Sequence, residues 1–415
     1  MLGILRLRNP IQRYPWGSRT AIAELLGRPS PAAEPQAELW MGAHPKAPSE
    51  AWVDGRWVRL DELVRELPGE ILGPRRAGEE AELPFLLKVL AAVEPLSIQA
   101  HPDRERARQG FRREEELGVP RDAPHRNYRD PYPKPEILYA LTPFQALRGF
   151  RAPEEIHDLL RQLDVIDLLP ECRRLEEVGG RPLERFFTAY MSLDRGRVGR
   201  VLGPALRRAG ELAGAGAHFR WIAELGERYP GDRGILAPAL LHVQELQPGE
   251  AIYTGPGVLH AYLDGVGVEL MTSSDNVLRG GLTAKHVDVP ELLRTLRFEA
   301  SPPRALEPAA TSAGVRRFAT PEGLTLEAIE VDGGRPHAGA GGRPAILLVT
   351  DGEGAIDGAA FRKGDSFLLP AALASYRITG SATLFRAELA GRDGHEPGNP
   401  RSNHLRSTIR PRKEL

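Results

Sequence analysis

The sequence predicts a mainly β protein interrupted by an α-helical insertion. Two observations carry that reading. Apolar runs of strand length, bounded by proline and glycine, fill residues 1–150 and resume after about 236. Between about 152 and 228 the apolar spacing changes to a helical rhythm. Ile156, Leu159, Leu160 and Leu163 fit one face, and Val198, Val201, Leu202 and Leu206 fit another.

Taken in order, Arg13-Tyr-Pro-Trp-Gly17 is a turn with aromatic anchors, and Ile22–Leu26 is a short helical piece. Glu38-Leu-Trp-Met-Gly-Ala-His-Pro-Lys46 is strand-like, and its His44 reads as a satisfied structural histidine in preference to one pointing into a cavity. Residues 60–72 read as one amphipathic helix, through Leu60, Leu63, Val64 and Leu67. Pro84–Val93 is a buried strand interrupted by Lys88, which must reach a partner or a polar cavity because burying an unpaired ammonium is costly. Glu94–Asp103 is a short strand ending at Pro102, and Glu105–Glu116 is helical. In Tyr132-Pro-Lys-Pro-Glu136 the prolines hold the backbone extended, so Lys134 and Glu136 face one side. A surface ion pair at a strand start accounts for those two equally well until the other ligands are counted.

After the helical stretch come two strands around Pro248-Gly249 and a third after Gly255-Pro-Gly257. His260 and Tyr262 alternate onto one face of that third strand, and Glu269 is expected on the next one. The polar loop from Thr272 to His286 holds Asp275, Arg279 and Lys285, a fork and a point charge of the kind a phosphate needs. Its Gly280-Gly281 pair signals tight backbone geometry. Val289–Leu296 is a short helix, and strands return from about Arg316. From about Gly391 the chain is polar, with arginine and proline, and is expected to be disordered.

Composition narrows the function. The 415 residues allow two or three domains, with 41% hydrophobic and 27% charged residues and a formal net charge of −1. No basic excess points to nucleic acid. Cys172 is the one cysteine, so no internal disulfide is possible. No run of 18 apolar residues suggests a membrane span, and the first residues hold too short an apolar core for a signal peptide, so the cytoplasm is the expected location. Six of the 55 basic residues are lysines, against a strong arginine bias. A lysine kept against that bias suits work needing a compact charge with a movable pKa; codon bias and chance are the alternative.

Gln99 and His101 stand two apart on a strand and so face one side. With Glu136 and His260 they make a four-ligand set that suits a divalent ion such as zinc. Each alone is as readily structural.

The Pro-Gly turn, strand, second Pro-Gly turn and His260 resemble a motif of the cupin barrels. The segments Ala345–Gly358 and Phe361–Ala371 resemble a second such barrel, with no histidine at the place of His260 and hence no metal. Tyr14-Pro-Trp-Gly17, Glu38–Pro45, Lys88-Val-Leu, Leu96–Pro102, Lys134-Pro-Glu136 and the Gly255–Lys285 block occur together and in order. In this the chain resembles the type I phosphomannose isomerases. The resemblance implies two cupin (jelly-roll) barrels, a catalytic one at 1–150 and 236–300 and a metal-free one at 301–392. A helical domain at 151–235 and a tail at 393–415 complete the expected layout. It implies one Zn2+ per chain on Gln99, His101, Glu136 and His260. It implies a cleft lined by Ser97, Lys88, Lys134, Tyr262, Glu269, Asp275, Arg279 and Lys285, taking a sugar phosphate in what is expected to be a monomer. The expected reaction is aldose–ketose isomerisation between mannose 6-phosphate and fructose 6-phosphate, with Arg279, Lys134, Glu269, Asp275 and Lys88 in catalytic roles and Ser97, Tyr262 and Lys285 binding substrate. The base could be Glu269, Asp275 or a lysine. One departure stands out: Pro133 occupies a position where the family usually has histidine. The rival readings are a cupin dioxygenase, which would hold a redox metal on histidines, and a sensor that binds sugar phosphate without turnover.

Overall fold

Phe85–Ala92, the apolar run that Lys88 interrupts, is an inner strand of a 10-stranded antiparallel sheet in the computed structural model. The structure describes residues 2–74, 81–176, 181–311 and 314–390, so the expected tail at 393–415 lies outside the described residues. Every residue of Phe85–Ala92 is buried because both faces are covered. Leu87, Val89 and Ala91 pack outward in a core shared with Ile346, Leu348 and Phe385. Leu90 and Ala92 face inward with Leu138, Phe144 and Tyr262.

The sheet gathers strands far apart in sequence. Phe85–Ala92 lies between Glu38–Met41 and His260–Thr272, and Ile98–Ala100 lies between His260–Thr272 and Leu278–Gly281. Glu136–Ala140 pairs with Ala251–Thr254 on one side and His260–Thr272 on the other.

His260–Thr272 corrects one expectation. Glu269 is not on the following strand; it shares one continuous 13-residue strand with His260 and Tyr262. The Asp264-Gly-Val-Gly267 stretch looks like a turn but is a bend. Gly265 has φ +122°, and a Cβ there would sit 2.8 Å from the Pro143 carbonyl. The strand first pairs with Phe144–Phe150 and then passes to Phe85–Ala92 and Glu136–Ala140. That bend carries both histidine and glutamate toward one interior.

A second sheet of 11 strands holds the C-terminal strands. It also takes Leu5–Arg8, which pairs with Ser366–Leu369 and Glu50–Val53, although the sequence groups residue 5 with the first set of strands. Leu5 and Leu7 need cover, and Ile346 and Leu368 supply it. Alternation shows that a face must be buried without saying by which segment. The helix expected over 60–72 is two, Leu60–Glu66 and Pro68–Ile71, broken at Leu67 because Pro68 disfavours helical backbone in the residue before it.

The principal helices of the middle stretch are Pro153–Gln162, Pro182–Met191, Arg195–Glu211 and Ala217–Arg228. Asp194 caps the third by accepting the Arg197 N–H at 2.8 Å. Their apolar faces, including Ile156, Phe186, Val201 and Ile222, join one core with Ile98, Leu147, Leu259 and Leu278. The helical layer therefore backs the strands that carry Gln99, His260 and Arg279. Cys172 lies in this core, where burial pushes its thiol up to about 12 and leaves it unreactive.

Candidate metal centre and active site

Three buried ligands converge. One ligand atom each of His101, Glu136 and His260 lies within 4.8 Å of the others. His101 follows the Ile98–Ala100 strand, Glu136 opens its own strand, and His260 opens the long bent one. Gly257 sets the entry to the last. Its φ is +76°, and a Cβ would stand 2.9 Å from the Thr295 carbonyl, so the Gly255-Pro-Gly257 turn admits only glycine there without strain. Its N–H donates to the His101 carbonyl at 2.8 Å, tying two ligand segments together.

The hydrogen bonds prepare the ligands. His101 Nδ1 lies 2.8 Å from the Asn276 carbonyl and His260 Nδ1 lies 3.0 Å from the Val258 carbonyl. Carbonyls only accept, so each Nδ1 carries the proton and each Nε2 offers a lone pair. Those Nε2 atoms and Glu136 Oε2 are buried without a hydrogen-bond partner among the described residues. Native interiors rarely leave three such atoms orphaned together. The Nε2 atoms of His101 and His260 stand 3.4 Å from Glu136 Oε1 and Oε2 respectively. A tetrahedral ion with bonds of about 2.0–2.1 Å spaces its ligands about 3.3–3.4 Å apart, so this donor set fits a divalent ion. Burial pushes His101 down to about 4, helped by Lys134 and opposed by Glu136, and keeps it in the neutral ligand form. Gln99, the fourth expected ligand, is in register directly opposite His260, with Arg279 opposite it on its other side. Opposed residues of antiparallel strands share a face, so Gln99 flanks the centre. Half-buried Ser97 precedes it on the same alternation.

Around the centre lies a ring of paired charges. Lys134 Nζ donates to Glu136 Oε1 at 2.6 Å. Burial alone would raise the Glu136 carboxyl, but Lys134 and His101 hold it well below the usual range. Lys88 Nζ is 3.1 Å from Glu269 Oε2 and 3.6 Å from Glu38 Oε1. Burial alone would lower its pKa, yet the carboxylates hold it raised and the ammonium stays charged. Glu269 is pushed up by burial against the opposing pull of Lys88. Tyr262 is pushed up by burial and then by Glu269, and its hydroxyl has no hydrogen-bond partner among the described residues.

Asp275 belongs to the outer part of the ring. Burial would raise its carboxyl, but His44 at 3.5 Å and Lys46 at 2.7 Å hold it low. His44, read from sequence as a structural residue, therefore faces a site carboxylate. Arg279 is lowered by burial and then by Arg129, and exposed Lys285 by burial and then by Arg279, Arg129 and Lys46. Four cations crowding one another would be relieved by a multiply charged anion. The Gly280-Gly281 pair makes the expected tight approach: a Cβ on Gly281 would meet Asp232 Oδ1 at 2.9 Å.

Sequence reasoning passed over Glu38, Lys46, Arg129 and Asn276 as site residues. Alternation places Glu38 on the strand face of Trp40, but its pairing beside the Lys88 strand is set by the tertiary fold. Arg129 and Asn276 gave no such signal; loop folding alone places them.

Fold and site together define a β-sheet enzyme built around a divalent-metal centre. The family model for the catalytic domain of type I phosphomannose isomerase matches residues 4–153. A mannose-6-phosphate isomerase of Escherichia coli (strain K12) is 41% identical over 303 residues, spanning 72% of this chain and 76% of the relative. That of Homo sapiens is 34% identical over 323 residues, spanning 72% of this chain and 74% of the relative. The solved structure of mannose 6-phosphate isomerase from Salmonella typhimurium, bound to fructose 6-phosphate as substrate and to zinc, superposes with a TM-score of 0.85 at 34% identity. The match covers 94% of this chain and 100% of that one. The chain belongs to the type I phosphomannose isomerases, a family of isomerase enzymes.

Proposed function

We propose that this chain is a zinc-dependent aldose–ketose isomerase that interconverts mannose 6-phosphate and fructose 6-phosphate by moving a proton between C1 and C2 through an enediolate. The observation that carries the reading is the set of orphaned ligand atoms on His101, Glu136 and His260 in a chain of this family. Gln99 completes the set from the facing strand position. Zinc, when bound, supplies Lewis acidity without redox chemistry. Two cupin barrels with a helical insertion at 151–235 are the layout that accords with this reading.

The chain's own residues divide the remaining work. Isomerisation needs a base that takes the C2 proton and returns it at C1. Lys88 is held charged by Glu38 and Glu269 and Asp275 is held ionised by His44 and Lys46, so neither is a good proton acceptor. Glu269 is buried and pushed upward, toward the range a base needs, and is our choice. Lys88 keeps it ionised and oriented through their 3.1 Å contact. Lys134 fixes Glu136, and Tyr262 offers a buried hydroxyl to the sugar. Arg279, Lys285 and Lys46 hold the phosphate end, and Ser97 lines the approach. The homologues solved with zinc and with fructose 6-phosphate support zinc as the metal and a sugar phosphate as the substrate.

The test is interconversion of the two sugar phosphates before and after metal removal with a chelator, followed by zinc. Activity lost and then restored supports both the reaction and the centre. Activity indifferent to metal would remove the role given to the four ligands, and an inactive zinc-loaded chain would favour a sensor of sugar phosphate.

A further inference from the structure

Asn276 lies among the residues that carry the chemistry but takes no part in the scheme above. It is fully buried. Its backbone carbonyl is the acceptor that orients His101, at 2.8 Å from Nδ1. Its side-chain oxygen accepts the N–H of Arg129 at 2.7 Å and of Asp130 at 3.3 Å. Its Nδ2 donates to the Asp130 carbonyl at 2.7 Å and the Tyr132 carbonyl at 2.8 Å. Asp130 closes the tie from the other loop. Its Oδ2 accepts the Asp275 N–H at 2.7 Å, and its Oδ1 accepts from Ser274 Oγ at 2.8 Å.

The tied loop continues without slack into a metal ligand. Pro133 and Pro135 restrict the backbone between Tyr132 and Glu136. Thr272 Oγ1 donates to the Pro133 carbonyl at 2.7 Å. Pro133 offers neither an N–H nor an imidazole, so the carbonyls of Tyr132 and Pro133 are what the facing loop grips. One side chain thus governs the carbonyl that aims His101 and the segment that delivers Glu136. It also anchors the loop that presents Asp275 and, three residues past itself, Arg279.

The geometry points to Asn276 and Asp130 as positioning residues that set the metal affinity of the His101–Glu136–His260 centre and hold the Asp275–Arg279 segment at its edge. The inference rests on the metal-centre reading above. An imidazole whose Nδ1 proton loses a fixed acceptor is free to turn, and partners of this outer kind are worth about 10- to 100-fold in metal affinity or activity.

The experiment is a titration of the metal-stripped full-length chain with Zn2+ and Co2+ against a chromophoric chelator, with the visible Co2+ spectrum recorded. The unaltered chain should bind with a tetrahedral Co2+ spectrum; failure there overturns the metal-centre reading, and with it this one. Asn276→Asp keeps the volume but sets an acceptor against the Tyr132 and Asp130 carbonyls. It should weaken Zn2+ binding about 10- to 100-fold, change the Co2+ spectrum and lower kcat more than it raises KM. Should that variant not fold, Thr272→Val and Asp130→Asn each loosen part of the tie and should move affinity and spectrum in the same direction. If the folded variants bind metal within about twofold of the unaltered chain with an identical Co2+ spectrum, while only their thermal midpoint drops, the tie is structural and the inference is overturned.

Discussion

Replacing Lys88 with Met removes one buried charge at nearly constant volume, and its consequence follows from the distances. Lys88 Nζ stands 3.1 Å from Glu269 and 3.6 Å from Glu38, and all three side chains are buried. At an effective dielectric of about 20 each attraction is roughly 5 kcal/mol. Without the ammonium, two carboxylates remain in one dry space, and they respond by taking up a shared proton. Protonating a carboxyl of ordinary pKa about 4.3 costs about 3.7 kcal/mol at pH 7 and about 1 kcal/mol at pH 5. That cost caps the loss, which agrees with the roughly 3–5 kcal/mol for breaking a buried pair. The sign follows from linkage. In the variant the folded-state pKa of the carboxyl pair rises above its unfolded value. Its stabilising contribution is then complete below about pH 4 and is lost as pH climbs through the folded value. The deficit of Lys88→Met against the unaltered chain should therefore grow from about 1 kcal/mol at pH 5 to about 3–4 kcal/mol at pH 7. Urea unfolding at the two pH values reads this directly, and turnover at pH 7 should fall by about 100-fold or more as Glu269 becomes protonated. A deficit equal at both pH values would mean that packing, not charge, was lost, and near-normal turnover would remove Glu269 as the base.

Three further outcomes are expected. Arg279→Ala should cut kcat by about 100- to 1,000-fold with one metal ion retained by elemental analysis; normal turnover would take Arg279 out of the scheme. Glu136→Gln should weaken metal binding severely while keeping the fold, because it removes the one anionic ligand and leaves the Lys134 ammonium without the charge of its 2.6 Å carboxylate partner; unchanged metal affinity would contradict the centre. Gly257→Ala forces a side chain into φ +76° and against the Thr295 carbonyl, and should cost at least about 1–3 kcal/mol in unfolding experiments with weaker zinc binding, whereas a neutral result would show that the turn relaxes freely.

Much of the site was legible because strand periodicity is short and strict. Gln99 and His101, or Lys134 and Glu136, need only alternation to be placed on one side. Lys88 announced itself by interrupting an apolar run, and its two carboxylate partners bear out the need for one. Asp275, Arg279 and Lys285 were visible as a cluster of charge types, although Arg279 lies on the Leu278–Gly281 strand and not in the expected loop. The long strand misled, because Glu269 was expected on a separate strand, whereas Gly265 serves a bend between two pairings of one strand. His44 misled because a lone histidine before a proline looks structural, and its carboxylate partner lies far away in sequence.

The sequence by itself determined which segments are strands or helices, which faces they bury, and which residue types could bind metal, accept a proton or meet a phosphate. Those properties depend on neighbours within a few positions. Only the tertiary structure decided the rest. It set Gln99 between His260 and Arg279, closed Lys88 between Glu38 and Glu269, and joined Leu5–Arg8 to the C-terminal strands. It also made Asn276 the tie between two ligand segments. Pairing partners, and the raised or lowered pKa values they cause, depend on which distant segments share a desolvated interior, and that is a property of packing that no local pattern encodes.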